Sequence, residues 1–238
     1  MKRILLIGSQ HGNELLGEVL QAYIHKNHRE LLPYITHVTG NIKAKKAGVR
    51  FIESDLNRSY TGGRKTYEER RANKLLQLIK KGQFDLVLDL HTTTNTHIQP
   101  CLIIPSVNES IRPFLSASSI ERLVLMRHPM VETSLIGSCP TAVSIEVSYR
   151  DLDDKLMSRL TSDISNFLAN NFVAKKRTVY EVSQLLAKGE LDSGQIRKLR
   201  NFEKSEHGFT PVLVGDNAYK KHTKYLGFKA DKVYETEL

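Results

Sequence analysis

The chain has 238 residues, 40% apolar and 26% charged, with 35 Lys and Arg against 26 Asp and Glu for a formal net charge of +9. Such a chain can bury one sizeable core with a small appendage, and its composition is that of a soluble globular protein. The apolar run at residues 4–7 is too short for a secretion signal, and nothing approaches the roughly 18 apolar residues of a membrane span. Cys101 and Cys139 lack metal-pair spacing. They point to a reducing compartment or to small core residues, so a cytoplasmic protein is expected.

In chain order, residues 3–7 are an apolar run ending at Gly8, the pattern of a buried strand followed by a turn. Residues 14–26 carry Leu15, Leu16, Val19, Leu20, Tyr23 and Ile24 at the spacing of a one-sided helix. A strand is expected at 34–39, a long irregular connection at 40–63, and a helix at 67–80. An apolar strand at 84–90 runs into His91-Thr92-Thr93-Thr94. Strands at 102–105, 123–126 and 142–147 and a helix at 152–170 follow. Alternation of this kind predicts an α/β fold, a mostly parallel mixed sheet covered by helices on both faces. After residue 171 the pattern changes. Strands at 178–186 and 227–235, separated by a polar stretch, predict a small β-rich C-terminal domain at 175–238 beside a main domain at 1–174.

Three segments carry chemistry. Gly8-Ser9-Gln10-His11-Gly12-Asn13-Glu14 follows the first strand, where open α/β sheets place their ligand crevices. His11 and Glu14, three apart at the expected helix start, can reach one point in space. An imidazole and a carboxylate suit a catalytic zinc, which usually takes three protein ligands. His91 ends a comparable strand, and Asp89 two residues earlier shares its face and can orient the imidazole. The other histidines have no such partners and read as surface residues, although His97 is close enough in sequence to line the site. Arg50, followed by Asp55-Leu56-Asn57-Arg58, offers planar donor forks for a carboxylate, with Asp55 as a turn former.

Together, His-Gly-Asn-Glu after a strand, Arg-x6-Asn-Arg ending in Asp-Leu-Asn-Arg, Asp-Leu-His-Thr-Thr and an Ile-Glu-Val segment resemble the succinylglutamate desuccinylase and aspartoacylase family. The resemblance runs from about residue 4 to 149, with an echo near Tyr219. It implies a zinc carboxypeptidase-like fold and one zinc per chain on His11, Glu14 and His91. It further implies Glu146 as the catalytic carboxylate, Arg50 polarising the scissile carbonyl, Asn57 and Arg58 binding the substrate's α-carboxylate, and Tyr219 reaching the pocket from the C-terminal region. In aspartoacylase proper a tyrosine and an arginine bind the substrate's β-carboxylate. The matching positions here are Glu132 and Ile136, which cannot do so.

The implied function is hydrolysis of the amide of a small acidic N-acyl amino acid, with no membrane partner and a homodimer left open. A small zinc carboxypeptidase is the rival within enzymes. A basic nucleic-acid-binding protein is the rival of another class. Against it, the basic residues are scattered, aromatics are 7%, there is no Trp, and no aromatic–basic interleaving occurs.

Overall fold

A computed structural model describes residues 1–94 and 98–238; residues 95–97, with the His97 considered above, lie outside the described residues. The elements in chain order are β1 (Ile4–Gly8), α1 (Leu16–Asn27), β2 (Ile35–Thr39), α2 (Ile42–Ala47), α3 (Tyr67–Gly82), β3 (Leu86–Thr93), β4 (Cys101–Ile104), α4 (Arg112–Ala117), β5 (Arg122–Met126), α5 (Leu135–Ser138), β6 (Ala142–Ser148), α6 (Asp154–Leu168), β7 (Lys176–Ala187), α7 (Ser193–Lys198), β8 (Thr210–Val212), α8 (Asn217–His222) and β9 (Tyr225–Glu237). The strands form one nine-stranded sheet, ordered β2-β1-β3-β6-β4-β5-β7-β9-β8. Pairing is parallel from β2 through β6 and again across β4, β5 and β7. It is antiparallel where β4 meets β6 and in the β7–β9–β8 group. The expected mixed, mostly parallel α/β sheet is present.

Strands of a parallel sheet covered on both faces need apolar residues at every position, and Ile4, Leu5, Leu6 and Ile7 are all fully buried. Alternation sends them to two cores. Ile4 and Leu6 join Leu88, Leu90, Val143 and Ile145 under Leu16, Leu20, Leu160 and Phe167 of α1 and α6. Leu5 and Ile7 join Val87, Ala72, Leu75 and Leu135 on the opposite face. Well-formed caps set the helix starts: Thr66 and Glu69 form a capping box on α3, and the Asp153 carboxylate accepts from Leu156 N on α6.

Three expectations need correction. The first helix begins at Leu16, so Glu14 precedes it. Residues 40–63 contain α2, capped by Asn41 and ended by Gly48 at φ 66°, which six residues were too few to announce by periodicity. The strand bearing His91 continues to Thr93 because its backbone stays paired with β6 as far as Ser148.

The division expected near residue 174 falls between α6 and β7. Beyond it, β7 pairs with β5 and carries β9 and β8, so the sheet is continuous across that point. No helix of the described residues is long and apolar enough to cross a membrane.

Candidate active site

The site stands on one face of β3 and β6 at their carboxyl ends. Register pairs Asp89 with Ser144 and His91 with Glu146, so two polar rows lie side by side on the face opposite Leu88, Leu90 and Ile145. Ser144 donates to Asp89 Oδ2 at 2.7 Å.

His11 and Glu14 meet this face by a tight turn, closed by Glu14 N donating to His11 O at 3.0 Å. It is this turn, and not a helix, that brings them together. Gly12 N donates to Arg50 O at 3.0 Å, tying the turn to the arginine segment. A Cβ at Gly12 would stand 2.1 Å from the Ala44 carbonyl carbon, so no larger residue fits without moving the α2 backbone.

The Glu14 carboxylate bridges the histidines. Oε1 is 2.6 Å from His11 Nδ1 and Oε2 is 2.8 Å from His91 Nδ1. Ligand atoms of His11, Glu14 and His91 all lie within 4.8 Å of one another, and all three residues are buried. The outward nitrogens face carboxylates: His11 Nε2 lies 3.0 Å from Asp55 Oδ1, and His91 Nε2 lies 2.9 Å from Asp89 Oδ2, off the ring N–H axis. Burial alone would raise the Glu14 carboxyl, but the charges and hydrogen bonds of His11 and His91 outweigh it and hold it well below the usual range. Burial likewise disfavours a charged His91, yet Asp89 and Glu14 keep its proton far above the ordinary imidazole range. Ligand atoms this close together and buried form a cage suited to positive charge. Two imidazoles and one carboxylate, with carboxylates behind both rings, fit a divalent cation of the zinc type.

Glu146 faces the same cavity from β6. Burial pushes its carboxyl well above the usual range; His91 and Arg50 oppose this, while Glu14 and Asp216 add to it. Arg50 reaches Glu14 Oε1 and Asp55 Oδ2 at 3.4 Å each. Asn57 and Arg58 lie in a one-turn 3-10 helix, Leu56–Arg58, capped by Asp55. Leu135 N donates to Asn57 Oδ1 at 3.2 Å, which leaves the amide hydrogens for another acceptor. Arg58 Nη1 donates to Asn57 O at 2.6 Å.

One cavity is lined by His11, Glu14, Arg50, Asn57, Arg58, His91, Glu146 and Tyr219 together. Asp89 lies beneath it, fully buried. The expected residues therefore converge from four strand or loop segments and from α8. Tyr219 packs on Tyr225 and Phe228, with ring centroids 5.1 and 5.9 Å away, and burial raises its hydroxyl. Ile136 lines the cavity, whereas Glu132 is exposed and does not.

Three contributions escaped sequence reasoning. Asp55 is more than a turn former, since one carboxylate touches Asn57 N, His11 and Arg50. Glu68, fully buried in α3, accepts from the Ile52, Glu53 and Ser54 backbones and from Asn41, anchoring the loop between Arg50 and Asp55. In sequence it reads only as a favourable acid in a helix's first turn. Asp216 accepts from Thr93 and Thr94 and caps α8, pinning the Tyr219 helix to the end of β3. An apolar wall of Ile103, Met126, Met130, Val131 and Phe228 completes the cavity.

Residues 1–170 match the succinylglutamate desuccinylase/aspartoacylase catalytic domain. The N-acyl-aromatic-L-amino acid amidohydrolase (carboxylate-forming) of Rattus norvegicus is 40% identical over 116 residues, 42% of this chain and 36% of that protein. The chain thus matches about a third of that relative's length. Murine aminoacylase 3 superposes with a TM-score of 0.67 at 24% identity, covering 100% of this chain and 96% of that one. The succinylglutamate desuccinylase of Chromobacterium violaceum gives 0.69 at 18%, covering 100% and 85%. These two likenesses carry the fold. With the catalytic-domain match spanning well over half its length, the chain belongs to the succinylglutamate desuccinylase/aspartoacylase family.

Proposed function

We propose that the protein is a zinc-dependent amidohydrolase that releases the amino acid from an N-acyl amino acid. The observation that carries this reading is the buried His11–Glu14–His91 cluster opening into the same cavity as Glu146 and two arginines. Zinc, when bound there, acidifies water and polarises a carbonyl. One zinc per chain on these three residues, with Asp89 and Asp55 orienting the imidazoles, is the assignment we adopt.

The chain's own groups do the rest. Asn57 and Arg58 bind the α-carboxylate, which fixes the amino-acid half. Arg50 faces the carbonyl oxygen and stabilises the negative charge that develops there. Glu146 takes a proton from the attacking water and delivers it to the nitrogen as the C–N bond breaks, yielding a carboxylic acid and an amine. Its low-dielectric surroundings leave it a stronger base than a surface carboxylate. Tyr219 closes the cavity from the C-terminal side. We keep residues 175–238 as a β-rich unit that contributes α8, Asp216 and Phe228 to the site. Ile136 and its apolar neighbours leave no partner for a second carboxylate, so neutral side chains are favoured over aspartate. Two free, buried cysteines suit a reducing compartment, and we place the protein in the cytoplasm.

The test is a panel of N-acetyl amino acids, their carboxamides and blocked dipeptides, assayed for released amine. We expect N-acetylphenylalanine and N-acetylmethionine to be cleaved at least as well as N-acetylaspartate, and the carboxamides to fail. Blocked dipeptides turning over faster than any N-acyl amino acid would move the reading to a carboxypeptidase. Cleavage of none would end it.

A further inference from the structure

A second cavity adjoins the first and shares Glu14, Arg50 and Asp216 with it. Asn57 and Arg58 line only the first cavity; Thr92, Thr93 and Thr94, which follow His91 at and just beyond the end of β3, line only the second. Arg50, placed at the scissile carbonyl, and Glu14 of the metal cluster therefore stand on the partition, while His11, His91 and Glu146 line the first cavity alone. A substrate whose carboxylate is held at Arg58 has its amino-acid half in the first cavity. Its other half continues across the partition.

We propose that the second cavity is the acyl subsite and that it takes an unbranched aliphatic acyl chain longer than acetyl. This rests on the deacylase reading and on Arg58 holding the amino-acid carboxylate. Leu15, Val49 and Tyr149 line this cavity while 51%, 42% and 49% exposed, three of the few large apolar side chains the fold leaves in water. Leu15 is not exposed by fraying, because its backbone N–H donates to Thr92 Oγ1 at 3.0 Å, beside the ligand strand. Fixed apolar side chains facing a cavity that opens onto the reacting carbonyl gain by covering with hydrocarbon. At the threshold Glu14 is already paired with His11, His91 and Arg50, Asp216 stands beside Arg50, and Lys221 lines the second cavity. The charges there therefore do not single out an acidic acyl end, and the apolar side chains carry the preference for hydrocarbon. His222, on the far wall, packs its ring on Phe51 at 5.3 Å between centroids.

The experiment compares N-acyl-L-phenylalanines carrying acetyl, butanoyl, succinyl, hexanoyl and octanoyl groups. We expect kcat/KM to rise about twofold to fourfold per added methylene until the cavity is filled, and butanoyl to surpass succinyl. The hexanoyl-to-acetyl ratio should fall about tenfold or more in Leu15→Asp and Tyr149→Asp; as a ratio, it is insensitive to the amount of folded enzyme. Calorimetric binding to the Glu146→Gln protein should follow the same order of chain length. Specificity that declines from acetyl onward, a preference for succinyl, or a ratio unchanged in both variants overturns the subsite while leaving deacylation intact. Tighter binding of hexanoyl- than acetyl-phenylalanine with no hydrolysis of either keeps the subsite and overturns the hydrolytic reading instead.

Discussion

The two faces of the central sheet are built from alternate residues of the same strands, yet they serve different ends. On the α1/α6 face, Leu88, Leu90, Val143, Ile145 and Val147 form an unbroken apolar layer. On the opposite face the same strands present Asp89, His91, Ser144 and Glu146. A backbone shared by both rows means that the apolar side, packed to near-crystalline density, sets the positions of the polar side to a fraction of an ångström. Burying those polar groups costs stability, and the protein offsets part of it by pairing charges: Glu14 with two histidines, Arg50 with Glu14 and Asp55.

Neighbouring substitutions should separate the faces. Glu146→Gln is expected to lower kcat by about 10²–10⁴-fold, since it removes the proton carrier. Its melting temperature should hold or rise, because a buried charge is lost; a large fall would show that Glu146 is a structural residue. Arg58→Ala should cost about 2–5 kcal/mol in transition-state stabilisation for free-acid substrates. The same variant should no longer distinguish an acid from its carboxamide, and retained discrimination would free Arg58 from its role. Next to Glu146 but on the other face, Ile145→Ala should destabilise the fold by about 2–5 kcal/mol in denaturant unfolding while kcat per folded molecule stays near wild type. Equal losses of activity from Ile145→Ala and Glu146→Gln would erase the distinction between the faces. Glu68→Ala strands three loop N–H groups and should cost about 1–3 kcal/mol. Its activity defect should appear in kcat/KM, since the loop it anchors runs from Arg50 towards Asn57 and Arg58.

Much of this was legible beforehand because the departures from pattern are local. A carboxylate or imidazole interrupting an apolar strand, as at His91 and Glu146, needs a reason that packing does not supply. The sheet class followed from strand–helix alternation. The tight turn at His11–Glu14 was read as a helix start because a three-residue spacing serves both geometries. Helix α2 was hidden by its shortness, although Asn41 and Gly48 at its ends are ordinary cap residues. Asp55, Glu68 and Asp216 escaped because their partners are distant in sequence or are backbone groups, so no spacing reports them. Where β7 and β9 pair was likewise invisible, since period-two alternation says that a strand exists and not whom it meets.

The account turns on the zinc proposed for the two histidines and Glu14, and elemental analysis of purified wild type, His91→Ala and Glu146→Gln tests it most directly. We predict one zinc per chain in wild type and in Glu146→Gln, and close to none in His91→Ala, whose removal leaves two ligands where catalytic sites use three. Equal zinc in wild type and His91→Ala would contradict the metal site, and loss of zinc from Glu146→Gln would make Glu146 a ligand in place of the proton carrier assigned to it.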